Sequence, residues 1–150
     1  MARTGIIVEW TGVVADTSGL IFADVSAAVQ RLLARDVIIV AIAHDGLSGS
    51  FPGVFGPVTA PDATPRYQLP RPGLILAAAQ SHQLDLPTSW VIGTSVDHAH
   101  AAAQAGCAGC VLLGVAAPTD DLGLVIAEAR NLADAPRVMI PRGGGCWHGL

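Results

Sequence analysis

Residues 37–43 read VIIVAIA, and this apolar run is followed at once by His44, Asp45 and Gly46. A continuous, β-branched run of this length is typical of a strand that helices cover on both faces, as in a parallel sheet. Polar residues directly after such a strand lie at its carboxyl end, where parallel sheets bind ligands. The stretch therefore predicts an α/β fold and also the edge of the sheet at which function is expected.

Strand and helix patterns alternate outward from this stretch in both directions. Short apolar runs predict further strands at residues 6–8, 89–93, 110–113 and 137–140. Apolar residues at helical spacing predict helices at residues 25–33, 72–83, 97–105 and 119–132. Asp24 is the predicted N-cap of the first of these helices, and Thr119 is that of the last. Residues 47–69 are rich in Gly, Pro and Ser, and predict a long irregular loop.

This alternation predicts a single α/β domain at residues 1–140. We expect three layers, with a Rossmann-like parallel sheet between two layers of helices and a minimal cap or none. Residues 141–150 contain three consecutive glycines and predict a flexible, Gly-rich tail.

Composition excludes several classes of protein. Hydrophobic residues make up 51% of the 150 residues and charged residues 13%, about half the usual share, which excludes a disordered chain. So little charge favours a covered surface, in a homo-oligomer or with a protein partner. The net charge of -4 argues against a nucleic-acid partner. All eight basic residues are arginines, so lysine Schiff bases and P-loop lysines are excluded.

The expected compartment is the cytoplasm. Residues 1–9 contain only a short apolar run that ends at Glu9, which indicates a first strand and not a signal peptide. The longest stretch without charge, residues 98–119, is too polar for a bilayer span, so no membrane partner is expected. Three cysteines without a disulfide framework fit a reducing environment.

Four segments resemble, in order, the motifs of the haloacid dehalogenase (HAD) superfamily. They are IIVEWTGVV at 6–14, VIIVAIAHDGLSG at 37–49, QLPRPGLILAAA at 68–79 and WVIGTSVDHAHAAAQAGC at 90–107. The nearest resemblance is to the small, nearly capless branch of heptose bisphosphate and histidinol phosphate phosphatases. It implies a HAD-like fold with the active site at the carboxyl ends of the strands.

The residues at the family's catalytic positions depart from its pattern. In the family, one Asp attacks phosphorus, a second is the acid/base, a Thr or Ser and a Lys bind the phosphoryl group, and two further Asp hold Mg²⁺. The matching positions here hold, in that order, Glu9, Thr11, Ile42, Leu69, Thr94 and His98, with Asp97 one position away. Phosphoryl transfer depends on positioning and charge neutralisation. The pattern therefore predicts a degenerate phosphatase fold, a pseudoenzyme used for binding, scaffolding or regulation, with no cofactor.

Two enzymatic alternatives stay open. In the first, Glu9, Asp97 and His98 form a repurposed acid/base or metal-assisted site with Mg²⁺ or another divalent ion. The weaker alternative is a slow or atypical phosphatase-type hydrolase. In the non-catalytic interpretation, a small-molecule ligand is bound at the same edge. The residues expected to contact it are Trp10, Thr11, His44, Asp45, Arg71 and Thr94.

A separate candidate metal site combines Cys107 and Cys110, a CxxC pair, with Cys146 and His148 from the tail. Three thiolates and one imidazole form a known structural zinc set. The simpler interpretation is that the two cysteines of the pair are buried core residues, because free cysteine is among the most buried residue types.

Overall fold

A computed structural model describes residues 2–139 and contains one sheet of six parallel strands. The strands are β1 (Gly5–Glu9), β2 (Ile38–Ala43), β3 (Val54–Thr59), β4 (Trp90–Gly93), β5 (Gly109–Leu113) and β6 (Val125–Ala129). The helices are α1 (Val25–Leu33), α2 (Gly73–His82), α3 (Val96–Ala105) and the single turn α4 (Ala135–Val138). The predicted tail, residues 141–150, lies outside the described residues.

The sheet separates two apolar layers, because alternate side chains of each strand point to opposite faces. Ile6 and Val8 of β1 pack in one core with α1 and α4, whereas Ile7 packs in the other with α2 and α3. All three side chains are 1% exposed or less. The predicted three-layer α/β architecture is therefore confirmed.

The strand order β3-β2-β1-β4-β5-β6 places the switch in chain direction between β1 and β4. The chain moves outward from β1 through β2 to β3, and then returns to the centre to build β4, β5 and β6. Ligands in open parallel sheets bind outside the carboxyl ends of the strands at such a switch point. Glu9, His44 and Thr94 follow or end the three central strands there.

The predicted helix at 119–132 is wrong, because Val125–Ala129 forms the edge strand β6. It pairs in parallel with β5, with Val125 opposite Gly109 and Ala129 opposite Leu113. Gly123 precedes it with a positive φ of 81°, a backbone conformation that a helix does not continue through. Apolar spacing in this segment fits both a helix and a short strand, and pairing with β5 decides between them.

Three other local predictions also need correction. The predicted loop at 47–69 contains the edge strand β3, which tolerates Pro57 because one of its sides is unpaired. The predicted strand at 137–140 is instead the end of α4, and Ile140 lies outside the described residues. Asp24 does precede α1, but its carboxylate makes no capping bond and accepts the Ala133 amide at 3.4 Å.

Among residues 2–139, no helix combines the length and the apolar character needed to cross a bilayer.

Candidate functional site

The carboxylate of Glu9, at the carboxyl end of β1, is the centre of a buried polar cluster. Its Oε1 atom lies 2.5 Å from His44 Nδ1 and 2.7 Å from His98 Nε2. Its Oε2 atom accepts the backbone N–H of His44 at 2.9 Å. Glu9 is 5% exposed, so these groups replace the water that a carboxylate otherwise binds. One side chain thus links the ends of β1 and β2 with the start of α3.

The two histidines reach Glu9 from neighbouring elements. His44 directly follows β2, whose last residues run beside β1 with Ile42 opposite Glu9. His98 lies in the first turn of α3 and is 3% exposed. Gly93 ends β4 beneath its ring, and a Cβ at that position would overlap the imidazole. Gly93 is therefore needed for close approach, although its backbone is not strained.

Contacts on the far side of the His98 ring define which nitrogen carries its proton. The Thr94 N–H donates to His98 Nδ1 at 3.3 Å, and Ser95 Oγ lies 3.0 Å from the same atom. An Nδ1 atom that accepts a hydrogen bond leaves the proton on Nε2, where it is donated to Glu9. His98 therefore binds Glu9 as a neutral donor.

Ser95 also belongs to the candidate site, although the sequence pattern did not predict it. It occupies the N-cap position of α3, yet its hydroxyl makes no capping bond. The hydroxyl contacts His98 instead. A serine directly before a helix is normally interpreted as a cap, so the sequence carried a signal for the position but not for this contact.

The environment of Glu9 favours its ionised form. Burial alone would raise its pKa, but hydrogen bonds from His44 and His98 and the charge of His44 outweigh burial and hold the pKa at about 2. Among the described residues, the side chains that pair with this buried carboxylate are imidazoles and not arginines. Imidazoles can bind or give up a proton near neutral pH, and a cation that binds to the cluster would displace protons from it.

Two buried polar atoms near the cluster lack partners within residues 2–139. They are His44 Nε2 and Thr11 Oγ1. Thr11 is two residues beyond Glu9 in the turn that follows β1. Buried polar atoms are rarely left without hydrogen bonds, and an exception commonly marks a position for water, an ion or a ligand. Both atoms belong to residues that the sequence analysis placed in a ligand site.

Other predicted site residues lie apart from the cluster. Asp97 is exposed, and among the described residues it has no side-chain hydrogen bond or ion pair. Asp45 is also exposed, and its carboxylate closes a turn by accepting the Leu47 amide at 3.1 Å. Arg71 is exposed before α2. The structure thus joins Glu9 and His98 but not Asp97, the third member of the predicted catalytic set.

Trp10 is part of the core and does not wall an open cleft. It is 2% exposed and packs in the apolar layer on the α1 side of the sheet. Its indole lies so close to Gly49 that a Cβ there would overlap the ring. The tryptophan therefore anchors the segment after His44 to the sheet.

Two of the four residues of the predicted zinc site, Cys107 and Cys110, lie in the described part of the chain. Cys107 and Cys110 are buried free thiols. Burial raises the pKa of Cys107 to about 12, and burial together with the neighbouring Cys107 raises that of Cys110. Zinc needs thiolates, so this environment opposes binding. Cys146 and His148 lie outside the described residues.

Within residues 2–139, Glu9, His44 and His98 are the group whose ligand atoms converge as a metal site requires.

Two shallow cavities lie at the same carboxyl edge, next to the outer strands. One of about 340 Å³ is lined by residues that follow β5 and by the end of β6. The other, of about 250 Å³, lies between Gly12, Asp24 and Leu113. Arg130 lines both. The sequence analysis did not single out this arginine, because it assigned residues 119–132 to a helix.

The chain matches no protein-family model and no curated protein. Its fold does match solved structures. D,D-heptose 1,7-bisphosphate phosphatase from B. bronchiseptica is 22% identical, with a TM-score of 0.63 over 89% of this chain and 96% of that one. An uncharacterized protein from Listeria monocytogenes serotype 4b is 12% identical, with a TM-score of 0.66 over 89% and 95%.

A third structural neighbour is larger. The 2-haloacid dehalogenase from Pseudomonas syringae pv. Tomato is 24% identical, with a TM-score of 0.56 over 78% of this chain and 52% of that one. The chain thus spans about half of that enzyme but nearly all of the small phosphatase. Sheet order and these neighbours agree with the four sequence segments: the chain has the haloacid dehalogenase-like fold.

Proposed function

We propose that this chain does not transfer phosphoryl groups and acts as a binding or regulatory protein on a phosphatase fold. The observation that carries the proposal is the state of the Glu9 carboxylate. It is buried, and its two oxygens accept three hydrogen bonds, two of them at Oε1. A nucleophilic carboxylate must instead present a free oxygen to phosphorus.

The energetics support this interpretation. Hydrogen bonds to a charged group contribute about 1.5–3 kcal/mol each. Freeing Oε1 for attack would break two of them, and freeing Oε2 would break one, in either case inside a buried site. Ile42, at the position where the family binds the phosphoryl group, is fully buried and offers no donor. The side chains that pair with Glu9 among the described residues are two histidines, and the chain has no lysine, so the charge that a lysine brings to phosphoryl transfer is missing from this cluster.

The residues also do not fit the magnesium of the resembled phosphatases. The B. bronchiseptica enzyme was solved with magnesium and phosphate. Magnesium prefers oxygen ligands in octahedral geometry. The cluster here offers one carboxylate and two imidazoles, a softer set of donors. We therefore assign no role to Mg²⁺ in this chain.

A ligand has a place to bind at the same edge of the sheet, apart from the Glu9 cluster. The two cavities at the carboxyl edge share Arg130, whose side chain is 88% exposed and pairs with Asp134 at 3.0 Å. A planar guanidinium at the rim favours a small anionic ligand with a carboxylate or phosphate group. The cavity of about 250 Å³ would admit only a small molecule.

We further propose that the chain self-associates in the cytoplasm. Leu20, Phe55 and Leu76 are 69%, 49% and 44% exposed, and a second copy of the chain would remove such apolar surface from water. The free thiols of Cys107 and Cys110 agree with a reducing compartment. Light scattering coupled to size exclusion tests this, and a strictly monomeric chain would refute it.

Turnover of phosphomonoesters tests the main proposal. Native protein and E9Q are incubated with Mg²⁺ and a panel of phosphorylated sugars and amino alcohols, with phosphate release as the readout. We expect no release above buffer from either protein, while a heptose bisphosphate phosphatase assayed in parallel is active. Release by the native protein that E9Q abolishes would refute the proposal.

One observation favours a second candidate, a repurposed acid–base or metal-assisted enzyme. His44 holds Nδ1 against a carboxylate and leaves Nε2 buried without a partner among the described residues. A histidine oriented by a carboxylate in this way is the arrangement of a general base. An activity that H44Q abolishes while H100Q preserves it would favour this candidate.

A further inference from the structure

We infer that Glu9, His44 and His98 form a binding site for a divalent first-row transition-metal ion, such as Zn²⁺ or Co²⁺. This inference deepens the proposed function, on which it rests in taking Glu9 as a ligand and not as a nucleophile. The set of two imidazoles and one carboxylate is built from this chain's own side chains. It follows from the side chains at the end of β1, the end of β2 and the first turn of α3.

The convergence of ligand atoms is the first argument. One ligand atom from each residue lies within 4.8 Å of the other two. The two imidazole centres are 5.8 Å apart, and the ring planes meet at 78°. Two imidazoles that hold one ion at about 2.0–2.1 Å have ring centres roughly 5–6 Å apart. Both rings therefore already face a common point next to the carboxylate.

The chemistry of the donors is the second argument. Imidazole nitrogen suits Zn²⁺, Cu²⁺, Fe²⁺ and Ni²⁺, whereas Mg²⁺ and Ca²⁺ prefer oxygen. Three protein ligands from histidine and glutamate leave a coordination position for water or a small molecule. The unpartnered Thr11 Oγ1 is a buried polar atom two residues beyond Glu9. It is the hydroxyl that we expect beside a ligand in that open position.

The surroundings of His98 permit the change of tautomer that metal binding requires. Coordination at Nε2 displaces the proton donated to Glu9 and leaves the ring's proton on Nδ1. That proton is then donated to Ser95 Oγ, which already lies 3.0 Å away and can accept as well as donate. The change gives up the Thr94 contact, which is long at 3.3 Å. Ser95 thus becomes the outer partner that orients a metal-binding histidine.

The ligand atoms must separate slightly to admit the ion. Oε1 is 2.5 Å from one ligating nitrogen and 2.7 Å from the other, whereas ligands around one ion at this range are about 3 Å apart or more. His44 is the ring that moves, because it is on a loop and its side chain is 13% exposed, against 3% for His98.

Titration of chelator-treated full-length protein with Co²⁺ tests the inference, with the visible absorption spectrum and isothermal calorimetry as readouts. We expect one Co²⁺ per chain and a nitrogen–oxygen spectrum without thiolate charge-transfer bands. H44Q and H98Q should each weaken binding by more than about 100-fold, and S95A by roughly 10-fold. H100Q is the matched control on the same helix and should bind as native.

The outcomes separate this inference from the proposed function. Binding that survives H44Q but disappears in C146S/H148Q, or a spectrum with thiolate bands, would place the metal at cysteines and overturn the inference. Absence of Co²⁺ binding by the native protein would overturn it too. If H98Q does not fold, the loop variant H44Q remains decisive. None of these results depends on phosphate release, which tests the proposed function alone.

Discussion

The two ends of the central strands β1 and β4 are equally buried but built from different chemistry. At the amino end, the Gly5 N–H donates to Ser89 Oγ at 3.0 Å, and that hydroxyl donates to the Asp85 carbonyl at 2.7 Å. Thr4 and Thr88 join their hydroxyls at 2.8 Å. At the carboxyl end, the Glu9 carboxylate is held between two imidazoles. One end is tied by neutral groups, and the other keeps a buried charge.

The two ends differ in what their polar groups contribute to stability. Hydroxyl and backbone bonds fasten β1 to β4 without burying a charge. A buried carboxylate costs stability unless its partners compensate. Two buried polar atoms at that end, His44 Nε2 and Thr11 Oγ1, have no partner in the described chain, against one, Trp90 Nε1, at the amino end. Departures of this kind cluster at functional sites. We therefore attribute the carboxyl end to binding and the amino end to stability.

The largest effect is expected from filling the space under His98. G93A places a Cβ inside the imidazole ring, which must leave Glu9. We expect a loss of about 3 kcal/mol or more in the free energy of unfolding, measured with urea, together with loss of Co²⁺ binding. The control is G46A, where φ is 75° and a Cβ meets no atom within 4 Å. It should cost about 1 kcal/mol and keep metal binding.

The second largest effect is expected from acid, which should lower the free energy of unfolding through Glu9 at the carboxyl end. The pKa of Glu9 is lowered from 4.5 to about 2 in the folded chain. Its contribution to stability is therefore complete above pH 4.5 and is lost as the pH falls toward 2, amounting to about 3 kcal/mol. Urea unfolding of metal-free protein across this range measures it. In E9Q this part of the pH dependence should be absent, and equal slopes for both proteins would contradict the assignment.

The amino end should respond less and without pH dependence. S89A removes the acceptor of the Gly5 amide and the donor to the Asp85 carbonyl, and leaves a buried N–H unpaired. We expect a loss of about 1–2 kcal/mol in the free energy of unfolding, the same at pH 4 and pH 7. Co²⁺ affinity should be unchanged. A metal-binding defect in S89A would show that the two ends are not independent.

The smallest effect on stability is expected from Arg130, which lies away from the ends of β1 and β4. R130Q breaks an exposed ion pair with Asp134, four residues further along the chain. Exposed pairs of this kind contribute about 0–1 kcal/mol, so the thermal midpoint should barely change. The variant should still lose affinity for small anions in a ligand-induced thermal-shift assay. Undiminished anion binding would remove Arg130 from the proposed ligand site.

The sequence was sufficient for the central part of the fold and failed at its edges. Buried strands such as residues 37–43 show continuous apolar runs that admit one interpretation. The edge strands do not, since β3 contains Gly56 and Pro57, and β6 has apolar residues at spacings that also suit a helix. Their conformation is decided by pairing with β2 and β5, which is tertiary information.

The sequence predicted several residues of the candidate site, but not the contacts between them. His44, Thr11 and His98 were expected at the rim because they follow strands, and Glu9 because it ends one. Nothing in the spacing indicated that one oxygen of Glu9 takes both imidazoles. Asp97 was expected beside His98, but adjacent helical residues point about 100° apart. When His98 faces the sheet, Asp97 faces solvent.

Imidazole ¹⁵N NMR of the metal-free protein can show whether Glu9 holds both histidine rings. At neutral pH we expect His98 to be the tautomer protonated at Nε2, and the His44 and His98 signals should both shift in E9Q. The His100 signals should not change. His44 and His98 signals that are insensitive to E9Q would show that the carboxylate does not hold the two rings, and would contradict the account.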